Sequence, residues 1–269
     1  MNKSIVAISS DFLTAFAALP RQIQGKVTEM INKLRNNPNL PGLNYEKIHN
    51  AVDDKICSVR IDDTYRGIVV RQKESGVYLL LWVDHHDKAY EWASRKKCEI
   101  NPTTGSVQVF DIQETETTEQ LSIDKPGLFS NVSDQQLLAL GVPRDQINLV
   151  QRLVDIEDFY QVNNNLPEDA YEGLEWIVNG FSPQEVLDLF ADEKEDVSQD
   201  NDFGTALQNL RSQRSFVIVE GEEDLRRIMA EPLEKWRVFL HPTQRKIVQK
   251  KYSGPARVLG GAGTGKTVV

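Results

Sequence analysis

Near the end of the chain, Gly260-Gly261-Ala262-Gly263-Thr264-Gly265-Lys266-Thr267 fits G-x-x-x-x-G-K-[ST], the spacing of a loop that cradles nucleotide phosphates. In such a loop Gly260, Gly263 and Gly265 let backbone N–H groups turn inward at positive φ, Lys266 reaches the β- and γ-phosphates, and the Thr267 hydroxyl ligates Mg²⁺. ATP with Mg²⁺ is the implied cofactor pair. The loop works only between a strand and a helix. Residues 256–259, Ala-Arg-Val-Leu, follow the turn signal Ser253-Gly254-Pro255 and read as a buried strand, while only Thr267, Val268 and Val269 are left for the helix. No second acidic motif for Mg²⁺ and no arginine finger fit after the lysine, so this polypeptide alone is expected to show no ATP turnover above background in a hydrolysis assay.

The elements that would position such chemistry fall into blocks of different charge. Residues 1–110 carry 15 Lys and Arg against 12 Asp and Glu, residues 111–231 carry 8 against 27, and residues 232–269 carry 8 against 1. The middle block repels phosphate backbones, so contact with nucleic acid is expected from the flanks. Two cysteines, Cys57 and Cys98, have no metal-like spacing, which points to a reducing cytoplasm without a disulfide framework. Ile5-Val6-Ala7-Ile8 after Lys3 has a leader-like look, but Asp11 breaks the run; no stretch is long enough for a membrane span, and no membrane partner is expected.

The first block, 1–110, opens with a helix near 11–19, with Ser10 as N-cap, and a second near 21–36 whose Ile23, Val27, Met30, Ile31 and Leu34 form one apolar stripe. Strand-like runs follow at 56–61, 67–71 and 77–83, the last apolar throughout and so placed mid-sheet. The expectation is an α+β domain with helices covering one face of an antiparallel meander. Residues 111–130 read as a linker and 131–210 as an acidic, all-α connector domain. Within it Ser133 caps a helix, Ser182-Pro183-Gln184-Glu185 is a capping box, and 191–202 is an acidic hinge. Helix-Gly-Val-Pro at 137–143 and helix-Gly-Phe-Ser-Pro at 177–183 hint at a duplicated unit. Residues 211–269 read as a strand-helix arm, the strand near 215–220 and the helix near 222–229, and then the truncated start of a P-loop α/β motor.

Two family resemblances sharpen these expectations. The element order of the first block, with Ser58-Val59-Arg60-Ile61, Tyr65-Arg66-Gly67-Ile68-Val69-Val70 and the run from Tyr78 through Asp84-His85-His86-Asp87-Lys88-Ala89-Tyr90, resembles the RelE/ParE toxin superfamily over about 90 residues. That resemblance implies cleavage of ribosome-bound messenger RNA through an activated 2′-hydroxyl, with Arg60, Arg66, His86 and Tyr90 as site residues and His85 and Arg71 as neighbours. The chemistry needs a general base, a general acid and cations for the phosphorane charge. His86 stands where the family usually has arginine, and the gyrase-targeting branch of the family lacks a nuclease centre. The second resemblance lies in Pro242-Thr243-Gln244-Arg245, a helix, a strand and the glycine loop, which is similar to the start of UvrD/Rep-type superfamily 1 DNA helicases. It implies that Gln244, 22 positions before Lys266, reads the adenine edge. Three functions stay open for the whole: the N-terminal part of an ATP-dependent helicase with a docking module in front, binding single-stranded or duplex DNA; a helicase fused to a ribonuclease that acts on RNA at the ribosome; and a protein-docking scaffold.

Overall fold

A computed structural model of the chain describes residues 4–72, 75–112, 127–190 and 202–230. The linker at 113–126, most of the expected hinge, Gln244 and the whole glycine loop lie outside the described residues.

The chain runs β1 (Ile5–Ser9), α1 (Ser10–Ala17), α2 (Arg21–Asn36), β2 (Tyr45–Lys47), β3 (Ile56–Arg60), β4 (Tyr65–Gln72), β5 (Val77–His85), α3 (His86–Ser94), and a hairpin of β6 (Lys96–Ile100) and β7 (Val107–Asp111). Short helices α4 (Asp134–Ala139), α5 (Ile147–Gln151), α6 (Ile156–Gln161), α7 (Glu168–Val178) and α8 (Pro183–Phe190) follow. Then come α9 (Phe203–Ala206), α10 (Ser212–Ser215), β8 (Phe216–Ile218) and α11 (Glu222–Ala230). The class is mixed α+β with a mostly antiparallel sheet.

The six-stranded sheet has the order β2-β3-β4-β5-β1-β8. Its centre is β5, as the unbroken apolar run from Val77 to Val83 requires, since a strand covered on both faces has no polar side to show. Three expectations need correction. The leader-like Ile5–Ile8 run is β1, inserted parallel to β5 with Ile8 opposite Leu80, so the sheet is not a plain meander. Both faces are covered, not one. Phe12, Phe16, Val27, Ile31, Leu34 and Ile228 pack on one side; Ala89, Trp92, Ala93, Phe203 and Leu207 pack on the other. The cap of α1 is Ser9, not Ser10: its hydroxyl oxygen accepts from the Phe12 N–H at 3.1 Å and its O–H donates to the Leu81 carbonyl at 3.0 Å. Leu81 is the residue bulged out of register between β4 and β5, where Ile68 faces Trp82 and Val69 faces Leu80. One buried hydroxyl thus serves a helix end and a strand irregularity together.

The expected strand near 215–220 appears as β8 and edges the front sheet, pairing antiparallel with β1 from Ala7–Ile218 to Ser9–Phe216. Phe203, Ala206 and Leu207 join the front core, so the chain returns to that core after the helices of 127–190. The helices between form a separate core around Phe129, Leu137, Leu140, Phe159, Leu174 and Phe190. Both expected caps form: Ser133 with Gln136, and Ser182 with Glu185, whose carboxylate accepts from the Ser182 N–H at 2.8 Å. The suspected duplication has a local cause. Gly141 and Gly180 sit at φ +100° and +98°, and the residue after each donates back five positions, Val142 to Leu137 and Phe181 to Trp176. The shared pattern is one helix stop used twice.

At Gly141 that stop is also crowded. A Cβ there would lie 3.0 Å from an Asp169 carboxylate oxygen and 3.3 Å from the Gln108 amide nitrogen. Gly141→Ala is expected to cost about 2 kcal/mol in urea unfolding, from the positive φ and the displaced neighbours together. Gly180→Ala, with nothing within 4 Å, is expected to cost only the conformational part, about 1 kcal/mol.

Candidate functional site

A groove opens between the edge strand β2 and helix α3. Glu46, Lys47, His49 and Asn50 form one wall, and His86, Asp87, Tyr90, Glu91 and Ser94 form the other. Each wall is held from behind. Ile48 is buried, and the Val52 N–H donates to the Ser94 carbonyl at 3.1 Å, tying the turn that carries His49 to the end of α3. At the other end the His86 N–H donates to the Thr64 carbonyl at 2.8 Å.

Two of the four residues carried over by resemblance, His86 and Tyr90, line this groove, and a third, Arg66, stands beneath it. Tyr90 donates to Glu46 at 3.1 Å and exchanges a 2.9 Å hydrogen bond with Ser58 on β3. Burial raises its phenol above the ordinary value, and the Glu46 carboxylate adds to this, so Tyr90 is a neutral donor at physiological pH. His86, one turn earlier on α3, lies with its ring centroid 4.2 Å from that of Tyr90. Its Nδ1 sits 2.9 Å from Asp87 Oδ1; facing that acceptor Nδ1 carries a proton, and in the neutral ring this leaves the lone pair on Nε2. Arg66 stands below this layer, 7% exposed. It donates through Nη1 to the Asp62 and Tyr65 carbonyls at 2.8 and 3.1 Å, and its Nε lies 3.9 Å from Glu46 Oε2. It steadies Glu46 and the strand turn rather than facing the groove.

Arg60 is the residue the structure does not bring in. It is the cross-strand partner of Arg66, yet its guanidinium is bonded to the Asp63 carboxylate and it lies outside the groove lining. His85 lies tilted against Tyr65 with ring centroids 4.2 Å apart, and Arg71 covers the Tyr45 ring at 3.5 Å, so both neighbours serve packing. Sequence reasoning missed Glu46, Lys47 and His49. Their signal was a short polar run, Tyr45-Glu46-Lys47-Ile48-His49, whose single deeply buried residue is Ile48.

The start of α3 is tied to the 62–65 turn through the Thr64 carbonyl. Partial burial opposes the charge of Asp62, but Lys26 at 2.8 Å and the Thr64 and Tyr65 N–H groups outweigh it and hold the carboxyl at about 2. A folded-state value below the ordinary carboxylate range stabilises above about pH 4 and is lost as pH falls toward 2. Asp62→Ala is therefore expected to lower stability by about 1 kcal/mol at pH 7, allowing for solvent around the pair, with the difference vanishing near pH 2 in urea titrations.

A second cleft, about 490 Å³, separates the front sheet from the helical domain. Asp169 on α7 crosses it: the Gln108 amide donates to both carboxylate oxygens at 3.1 and 3.3 Å, Ser106 Oγ donates at 3.4 Å, and Arg211 Nη1 lies 3.8 Å away. Burial raises the Asp169 carboxyl, against the pull of Arg211 and Arg214, and burial raises Glu168 beside it. Because these partners are accounted for within the fold, this cleft is a domain clamp.

Among the described residues no cluster of His, Cys, Asp and Glu can hold a metal ion, and no helix is long and apolar enough to cross a membrane. No protein-family model matches the sequence, and no curated protein matches it. Among solved structures the chain is similar to one in the toxin-antitoxin complex RelBE2 from Mycobacterium tuberculosis, at 23% identity over 32% of this chain and 94% of that chain, with a TM-score of 0.27.

Proposed function

We propose that the chain is the leading part of an ATP-dependent superfamily 1 nucleic-acid helicase and that its front domain is a toxin-like accessory module that binds and cleaves RNA in the groove between β2 and α3. The motor half rests on the spacing of Gly260, Gly263, Gly265, Lys266 and Thr267 after the apolar run at 256–259, with Gln244 upstream as the adenine reader. ATP and Mg²⁺ are then its cofactors and DNA its track. Reading the gene beyond Val269 tests this half: a Mg²⁺-binding carboxylate motif and translocation motifs are expected, and a stop codon there would sink it.

For the front domain, one observation favours cleavage over a bare docking surface. An imidazole with its proton fixed on Nδ1 by Asp87 stands beside a neutral phenol that is bonded to a carboxylate, all at one solvent-open groove. That is a general base next to a hydrogen-bond donor, which a passive surface does not need. The groove is not strongly basic, since Glu46, Asp87 and Glu91 outweigh Lys47 along its walls, so affinity for RNA is expected to be modest. End-labelled single-stranded RNA mixed with the protein should yield 2′,3′-cyclic phosphate and 5′-hydroxyl ends. Salt-sensitive binding with no new ends would leave only a docking module.

A further inference from the structure

Cleavage beside a 2′-hydroxyl needs two proton transfers at opposite ends of the phosphorus, and so two groups on different sides of the bound phosphate. The groove offers one matching pair. Only four histidines occur in the chain, and two of them, His49 and His86, line this groove from opposite walls. His86 is oriented by Asp87 and presents Nε2 as an acceptor. His49 is exposed on the turn after β2, and no hydrogen bond or ion pair among the described residues engages its ring. Its backbone is nonetheless fixed, since Ile48 is buried, the Ala51 N–H donates to the Ile48 carbonyl at 3.2 Å, and the Val52 N–H donates to Ser94. An exposed imidazole on an anchored turn, lining the same open groove as His86 from the other wall, is placed to hand a proton to a leaving group.

We infer that His49 is a second catalytic residue of the RNA-cleaving groove, the general acid opposite His86; this rests on the reading of that groove as a ribonuclease site. His86 Nε2 takes the 2′-hydroxyl proton, the O2′–P bond forms, and the P–O5′ bond breaks. The His49 imidazolium delivers its proton to the departing O5′, leaving a 2′,3′-cyclic phosphate and a 5′-hydroxyl. His86 is then protonated and His49 neutral, and exchange with water resets both. Lys47 on the same wall brings a positive charge to the groove, and Glu46 is held by Tyr90 and Arg66. Glu91, Asp87 and Tyr90 are the remaining titratable groups facing the two imidazoles.

The test compares two substrates on the full chain: the dinucleotide UpA, whose alkoxide leaving group needs a proton, and uridine 3′-(4-nitrophenyl phosphate), whose phenolate does not. His49→Ala is expected to slow UpA cleavage by about a hundredfold and to leave the nitrophenyl ester within about threefold of wild type, whereas His86→Ala slows both. His49→Gln should behave like His49→Ala, with circular dichroism confirming that both variants fold. If wild type cleaves UpA and His49→Ala cleaves it equally well, or loses both substrates alike, the acid role is overturned while the groove's activity stands. If wild type cleaves neither substrate, the ribonuclease reading falls and this inference with it.

Discussion

Asp169→Ala is expected to lower the unfolding free energy by about 3 kcal/mol, the largest stability loss among single substitutions at the domain clamp. The size follows from what the change strands. The carboxylate is buried and accepts from Gln108 and Ser106 with Arg211 at 3.8 Å, so its removal takes an acceptor from an amide and a hydroxyl and a counter-charge from a guanidinium. Gln108 also donates to the Gly141 carbonyl at 2.9 Å, and Asn101 to the same oxygen at 3.1 Å, so the hairpin, the α4 stop and α7 lose a common anchor. Asp169→Asn should cost less, about 1 to 2 kcal/mol, because the amide keeps the volume and one acceptor. The pH dependence separates the two. A carboxyl raised by burial stabilises fully below its unfolded value and loses that contribution as pH rises through its folded one. Wild type should thus gain on Asp169→Asn as pH falls toward the ordinary carboxylate range at about 4 and fall back as pH rises above it. Urea unfolding at pH 5 and pH 7 decides, and a loss under about 1 kcal/mol in Asp169→Ala would show that the clamp is not structural.

What the sequence made legible was short in range. β5 declared itself because burial on both faces removes alternation, and the Ser133 and Ser182 caps because three-residue spacing is enough to define them. β1 was illegible for the opposite reason: five residues carry no period of their own, and the partner strand begins at Val77. The hairpin hid behind Lys96, Lys97 and Glu99, charged residues whose place in a ladder is set by Asp111 and Asp145 across the way. At the groove, His86 and Tyr90 were named together because the family resemblance carries both, and α3 sets them one helical turn apart. Glu46 and His49 come from an edge strand whose position depends on pairing with β3, which no local pattern announces. The clamp was further from reach, since its members run from Ser106 to Arg211.

His86→Ala is expected to slow RNA cleavage by about a thousandfold while leaving stability nearly unchanged, since removing a general base costs on the order of a hundred- to ten-thousandfold and the side chain is 46% exposed. The neighbours should grade the effect. Asp87→Asn leaves the imidazole in place but removes the carboxylate that keeps the proton on Nδ1, so about a tenfold loss is expected, larger than its exposure alone would suggest. Tyr90→Phe removes one donor to Glu46 and one contact with Ser58, again about tenfold, with a small stability cost because the hydroxyl is partly buried. Arg60→Ala is the discriminating variant. The family resemblance places it in the site, whereas the geometry ties it to Asp63 outside the groove, so cleavage should stay within about twofold of wild type. A large loss on Arg60→Ala would mean that the RNA path runs over the exposed sheet edge and not between the walls of this groove. Unchanged cleavage in His86→Ala would move the base elsewhere and remove the reason for assigning an acid on the opposite wall.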